Sequence, residues 1–231
     1  MNFLIKLFSS KKDKNIKSET NILNSNKRNE SFIQSCLENK YQELEDNRWF
    51  SDFEELPKID QYKNNGEYRK ALDICLKGLK THYDSFLFYG RAADLYDLLN
   101  KPQEAIKILN IGLEKSLCKS SIAKYIADRA FRRNDYREAI FWWIQAVVMQ
   151  FESNLLVEYV PFLNLAYLCK ATKWKEEEEW CFSMVDKISP QGPIRFDSIG
   201  AKLRYDLILK AKKNGDNDVL DSIKLLFKKY N

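Results

Sequence analysis

Apolar positions along this chain recur at helical spacing, and the recurrence itself repeats. Ala71, Ala105 and Ala139 lie 34 residues apart. Four residues after each come Cys75, Leu109 and Trp143, and seven after come Gly78, Gly112 and Ala146. Eight after stand Leu79, Leu113 and Val147, while Tyr68, Pro102 and Tyr136 stand three before. Steps of three and four residues mark one buried face of a helix. Gly66, Asn100 and Asn134, five residues before the alanines, place a turn ahead of each such helix. A second apolar stripe precedes each turn: Tyr89, Ala93 and Tyr96 before Asn100, then Ala123, Ala127 and Ala130 before Asn134. The pattern predicts consecutive helical hairpins.

A 34-residue hairpin with this alternation of small and large residues resembles the tetratricopeptide repeat. The resemblance implies an all-α fold, a right-handed α–α superhelix (a TPR-like solenoid) with degenerate C-terminal hairpins. Four segments follow. Residues 1–30 form a short amphipathic segment and a flexible basic linker, and 31–50 hold a packing helix expected on the open first face of the stack. Residues 51–149 carry three repeats, and 150–231 a degenerate repeat with a capping hairpin. Ser51 with Glu54, and Asp135 with Glu138, read as capping boxes. In the fourth repeat Trp174 is placed as the counterpart of Tyr136, followed by Glu177 where the other repeats have alanine. Helices are expected at about Leu155–Cys169 and Lys175–Ile188, then Phe196–Lys213 and Val219–Tyr230, split at Asn214–Gly215.

Charge refines this reading. The formal net charge is +5. Residues 1–28 hold seven basic side chains against Asp13 and Glu19, so the remaining body is neutral overall. A neutral, mixed-sign body lacks the footprint of a phosphate-backbone binder, and no DNA partner is expected. Cys36, Cys75, Cys118, Cys169 and Cys181 form no Cys-x-x-Cys pair and are read as reduced, in a cytoplasmic protein. His82 is the only histidine. No phosphate loop, dinucleotide fingerprint, metalloprotease motif or nucleophile elbow occurs, so neither an enzyme nor a cofactor is expected.

The resemblance also implies where a ligand lies. In this family the first helix of each repeat lines a concave groove that holds peptides. The corresponding positions here are Asp60 and Lys63 in repeat one and Arg91 and Asp94 in repeat two. Repeat three supplies Lys124, Tyr125, Asp128, Phe131 and Arg132. Asp60, Asp94 and Asp128 recur every 34 residues. Such a row can accept a basic segment or peptide amides through charge-assisted hydrogen bonds. Equally, each aspartate can pair with a lysine or arginine of its own or an adjacent helix. An aspartate beside a bound carboxylate repels it, which argues against the acidic-tail ligands that one family variant grips.

Two further surfaces stand out. Trp142 adjoins core Trp143 and must point elsewhere, into the next hairpin or outward as an interface anchor. Phe3, Leu4, Leu7 and Phe8 share one helical face ahead of Lys11, Lys12 and Lys14. That segment can rest on an anionic membrane surface, fold back onto the molecule or dock on a partner. The expected function is a non-enzymatic protein-interaction adaptor or assembly factor. Its alternatives are a scaffold peripheral to the inner face of a membrane, anchored by residues 1–14, and a weak RNA-binding helical-repeat protein. Oligomeric state is left open by the sequence.

Overall fold

The computed structural model describes residues 30–39, 53–190 and 198–231, with side chains in the last stretch from residue 206 onward. The amphipathic segment with Phe3, Leu4, Leu7 and Phe8, the basic linker, and Ser51 of the first capping box lie outside the described residues. Among those described, every regular element is a helix. Helix α1 covers residues 30–39. Five hairpins follow: α2 (Glu55–Asn64) with α3 (Tyr68–Thr81), α4 (Phe86–Leu98) with α5 (Pro102–Lys115), α6 (Lys119–Arg132) with α7 (Tyr136–Glu152), α8 (Val160–Thr172) with α9 (Lys175–Ile188), and α10 (Ser198–Lys213) with α11 (Asn217–Tyr230).

One turn geometry joins both helices of every hairpin. Gly66, Asn100, Asn134, Lys173 and Gly215 all adopt the left-handed conformation, with φ of 76, 56, 61, 62 and 77°. The next residue's amide then bonds back to the carbonyl five positions before it. These bonds are Glu67 to Tyr62 (2.9 Å), Lys101 to Tyr96 (2.8 Å), Asp135 to Ala130 (3.0 Å), Trp174 to Cys169 (3.0 Å) and Asp216 to Ala211 (3.0 Å). This is the Schellman closure, which satisfies the last carbonyls of the first helix. It sets the register of the fourth hairpin: Trp174 occupies the position before the helix, as Asp135 does, one residue ahead of the place given it by likeness to Tyr136. Only half of the second capping box forms. The Asp135 carboxylate accepts from the Glu138 amide (3.1 Å), while the Glu138 carboxylate pairs with Arg133 (2.8 Å).

The repeat's small residues lie where helices meet. Ala71, Ala105 and Ala139 are fully buried. Packing is consecutive, and helix α4 shows why it must be apolar on most of its circumference. Its Phe88, Ala92 and Leu95 join Ile59, Ala71 and Cys75 in a first core, while its Tyr89 and Ala93 join Ala105, Leu109 and Ile122 in a second. A third and larger core gathers α6 to α11 around Trp143, Phe151 and Phe162. Cores strung along the chain in this way are the mark of a stacked helical-repeat fold.

Helix α8 begins at Val160, later than the apolar pattern predicts, because a buried side chain organises the segment before it. The Gln150 carboxamide oxygen accepts from the amides of Val157 (2.9 Å) and Glu158 (2.7 Å), and its nitrogen donates to the Glu158 carbonyl (3.1 Å). Such bonds give the backbone an alternative to helix. Pro161 then sits in the helix's first turn, where no amide proton is needed.

Helix α1 overturns its expected place on the first face of the stack. Its Ile33, Cys36 and Leu37 belong to the third core, at the other end. Phe32 stacks on Phe151 at 6.2 Å, the Cys36 thiol donates to the Asn154 side chain (2.9 Å), and Glu30 pairs with Lys187 at 2.9 Å. Periodicity identified the apolar stripe correctly, but a stripe does not name its partner. From the opposite direction α11 returns to α7: Tyr230 stacks on Phe151 at 4.2 Å, and Arg137 bonds Asp216 and Asp218 at 2.9 and 2.7 Å.

Candidate functional site

The first helices of the three clear repeats, α2, α4 and α6, carry the aspartate row, and each aspartate has a cationic neighbour. Asp60 receives two hydrogen bonds from Arg91 of the next first helix, at 3.2 and 3.1 Å. Asp94 lies between Lys63 of α2 (3.7 Å) and Arg132 of α6 (3.0 Å). Asp128 stands 3.8 Å from Lys124 one turn earlier and accepts from the Trp143 indole N–H at 3.4 Å. The result is a ladder of ion pairs running across three successive first helices.

A further rung was not among the sequence candidates. Arg129 donates to both carboxylate oxygens of Asp97 (2.6 and 2.7 Å) and to the Pro102 carbonyl (3.0 Å), while only 5% exposed. Its two parallel bonds make the strong, orientation-specific form of the interaction. A signal for the ladder exists in the sequence: Asp60 to Arg91 and Lys63 to Asp94 are both 31-residue separations, and Asp97 to Arg129 is 32. These pairs fall about one helical turn short of the 34-residue repeat, and Asp94 to Arg132, at 38, falls about one turn beyond it, because residues three or four apart share a helix face.

Lys124 and Tyr125 form a second, largely enclosed part of this face. Burial opposes the Lys124 ammonium, yet Glu158, Asp128 and Asp94 outweigh it, and its pKa is raised. The ammonium also lies 4.4 Å from the centre of the Tyr125 ring. Glu158, another residue the sequence did not single out, accepts from the Ser121 hydroxyl at 2.7 Å. Burial raises the Tyr125 phenol, with Glu158 acting in the same direction. Tyr125 lies flat against Gly90, where an added Cβ would fall 2.4 Å from the ring. Both shifts act in the same direction, favouring the protonated forms of Lys124 and Tyr125.

The remaining candidates separate. Phe131 packs against the third core, 5.8 Å from the Trp143 ring and 6.5 Å from Tyr136. Trp142 is partly buried between the second and third cores and meets Phe141 edge-on at 5.4 Å. Solvent reaches Asp60, at 50% side-chain exposure, and Arg132, at 57%, most readily among the paired groups. Chemically the face offers fixed charges of both signs, suited to holding a polar chain by hydrogen bonds.

Among the described residues no group of three or more His, Cys, Asp or Glu side chains is placed to hold a metal ion, and no helix is long and apolar enough to cross a membrane. The chain matches no family model, no curated protein and no solved structure. Its fold and geometry define it as an all-α protein with helices packed in a repeated pattern, consistent with a helical-repeat solenoid.

Proposed function

We propose that the chain is a right-handed solenoid of tetratricopeptide type. In this reading it acts in the cytoplasm as a non-enzymatic adaptor or assembly factor, holding a peptide or protein segment across α2, α4 and α6. One observation carries the reading: consecutive first helices bear a ladder of mixed charges anchored on one another, with Asp60 and Arg132 reaching solvent at its two ends. Interhelix pairs fix these side chains before a ligand arrives, which lowers the entropy lost on binding. An extended segment can then add hydrogen bonds to charged groups already in position.

The test compares wild type with Asp60→Ala/Arg132→Ala, a pair of substitutions confined to the exposed ends of the ladder. Proteins captured from a lysate of the source cells are cross-linked and their contact sites mapped by mass spectrometry. A specific protein that cross-links to α2, α4 and α6, and is lost from the variant, supports the proposal. Equal recovery on both forms, or cross-links confined to other helices, refutes it.

A further inference from the structure

A second surface of one predominant charge lies at the other end of the molecule. A cleft of about 420 Å³ opens between α1, α9 and α11. Ile33, Trp180, Met184 and Phe227 give it apolar walls, and Glu30, Glu176, Glu179 and Lys187 border it. A shallower depression continues along α9 past Glu178, Phe182 and Asp186. Five of the side chains lining the two are carboxylates, against the single ammonium of Lys187, which is itself paired with Glu30. Glutamates in the first turn of α9 favour the helix dipole, but that does not account for Glu179, for Asp186 or for the apolar walls beside them. Trp180 adds an independent sign. It is 7% exposed, and its indole N–H lacks an acceptor among the described residues. Buried donors of this kind normally have one.

The chain delivers a complementary segment to this place. Residues 1–28 carry seven basic side chains against two acidic ones, and they lead into Glu30 on the border of the cleft. Phe3, Leu4, Leu7 and Phe8 supply one apolar face, followed by Lys11, Lys12 and Lys14. The stretch between Phe8 and Glu30 reaches at most about 70 Å when extended, more than enough to return along α9. Tethering also raises the segment's effective concentration to about the millimolar range, so a contact weak between separate molecules is occupied within one.

We propose that residues 1–14 dock intramolecularly in this cleft. Their apolar face covers Trp180, Met184 and Phe227, and their lysines lie against Glu176, Glu178 and Glu179. This contact is independent of the α2, α4 and α6 ladder.

Limited proteolysis of the full chain with a lysine-specific protease tests it, with cleavage after Lys11, Lys12 and Lys14 followed by mass spectrometry. Two variants are compared with wild type: Glu176→Gln/Glu178→Gln/Glu179→Gln in the cleft, and Leu4→Asp/Leu7→Asp in the segment, where no described packing is disturbed. A synthetic peptide of residues 1–20 gives the undocked rate. Wild type is expected to be cut more slowly than the peptide, and both variants faster than wild type by roughly tenfold, the scale of a few exposed charge pairs lost together. Unchanged circular dichroism excludes unfolding as the cause. Equal rates in wild type, variants and peptide overturn the proposal. Protection that grows with protein concentration assigns the docking to a second copy, and protection seen only with anionic lipid vesicles assigns it to a membrane; either result overturns it too.

Discussion

Replacing Gly78 by alanine sets two effects of known sign against each other. Alanine in place of glycine inside a helix stabilises it by about 1 kcal/mol. Against this, a Cβ at position 78 would fall 2.3 Å from Cε1 of Phe88 and 2.8 Å from two other atoms of that ring. The ring has nowhere easy to go: Phe88 is fully buried, 5.2 Å from the Phe53 ring and 5.7 Å from His82. Ordinary contact requires a displacement of about 1 Å or more, and overpacking a rigid site costs about 1–3 kcal/mol. The clash wins, leaving a net loss of about 1 kcal/mol, or 2–4 °C in Tm for a chain of this length. Urea titration should be followed by both circular dichroism and tryptophan fluorescence. Trp142, Trp143, Trp174 and Trp180 lie on α7 to α9 or at their ends, away from the first core, so with the fifth tryptophan removed (Trp49→Phe) the dichroism midpoint is expected to fall further than the fluorescence midpoint. Phe88→Leu in the same chain makes room, and the double variant should lose less than the sum of the two single losses by about 1 kcal/mol. The reasoning is refuted if Gly78→Ala is as stable as wild type, or if the two substitutions are additive.

Other expectations follow from the turns, pairs and thiols. Lys173→Gly relieves a left-handed lysine in the fourth turn and should raise stability by about 1 kcal/mol, read from the thermal midpoint. Arg129→Ala leaves the Asp97 carboxylate without its two strongest bonds and should cost about 2 kcal/mol, the partial exposure of Asp97 softening the larger loss of a fully buried pair. Arg132→Ala, at the exposed end of the same face, should cost less than about 1 kcal/mol in the same urea titration. Arg137 holds the Asp218 carboxyl below its usual range. A carboxyl depressed by folding stabilises the native state above its unfolded pKa of about 4 and loses that contribution as pH falls through its folded value. Acid titration of wild type should therefore loosen α11, by a few tenths of a kcal/mol given its exposure, and Asp218→Asn should lack that increment. Burial pushes the thiols of Cys36 and Cys118 up to about 11 and that of Cys75 up to about 12. Native protein at pH 8 should react with a thiol reagent at the rate at which it opens, and quickly only in denaturant.

What the sequence disclosed was local. Ala71, Ala105 and Ala139 mark close helix contacts because only a small side chain fits there, and Gly66, Asn100 and Asn134 mark turns because glycine and asparagine tolerate the left-handed conformation at least cost. Lys173 has neither advantage. Closure of the fourth turn by tertiary packing therefore left no residue signal, and the register there slipped by one. The aspartate row was visible, but its partners depend on the stagger between neighbouring first helices, a property of packing rather than of any one helix. Gln150 escaped notice for a similar reason. Its importance comes from two backbone amides several residues ahead that only the folded chain turns toward it. The location of α1 was hidden most fully, since an amphipathic stripe fits any apolar surface of its width.

That location has a consequence for how the chain matures. A simple helical stack can assemble from its first repeat while later ones are still being made. Here the earliest described helix finds its site only when α7 and α9 exist, so Ile33, Cys36 and Leu37 wait through the synthesis of roughly 150 more residues, about 10–30 s at ordinary elongation rates. During that interval their apolar face stays available to chaperones, and the repeats between them fold before the chain is drawn shut. Completion is then one long-range event that seats the first described helix on the later hairpins. A protein built from locally folding units thereby acquires a final step that depends on nearly its whole length.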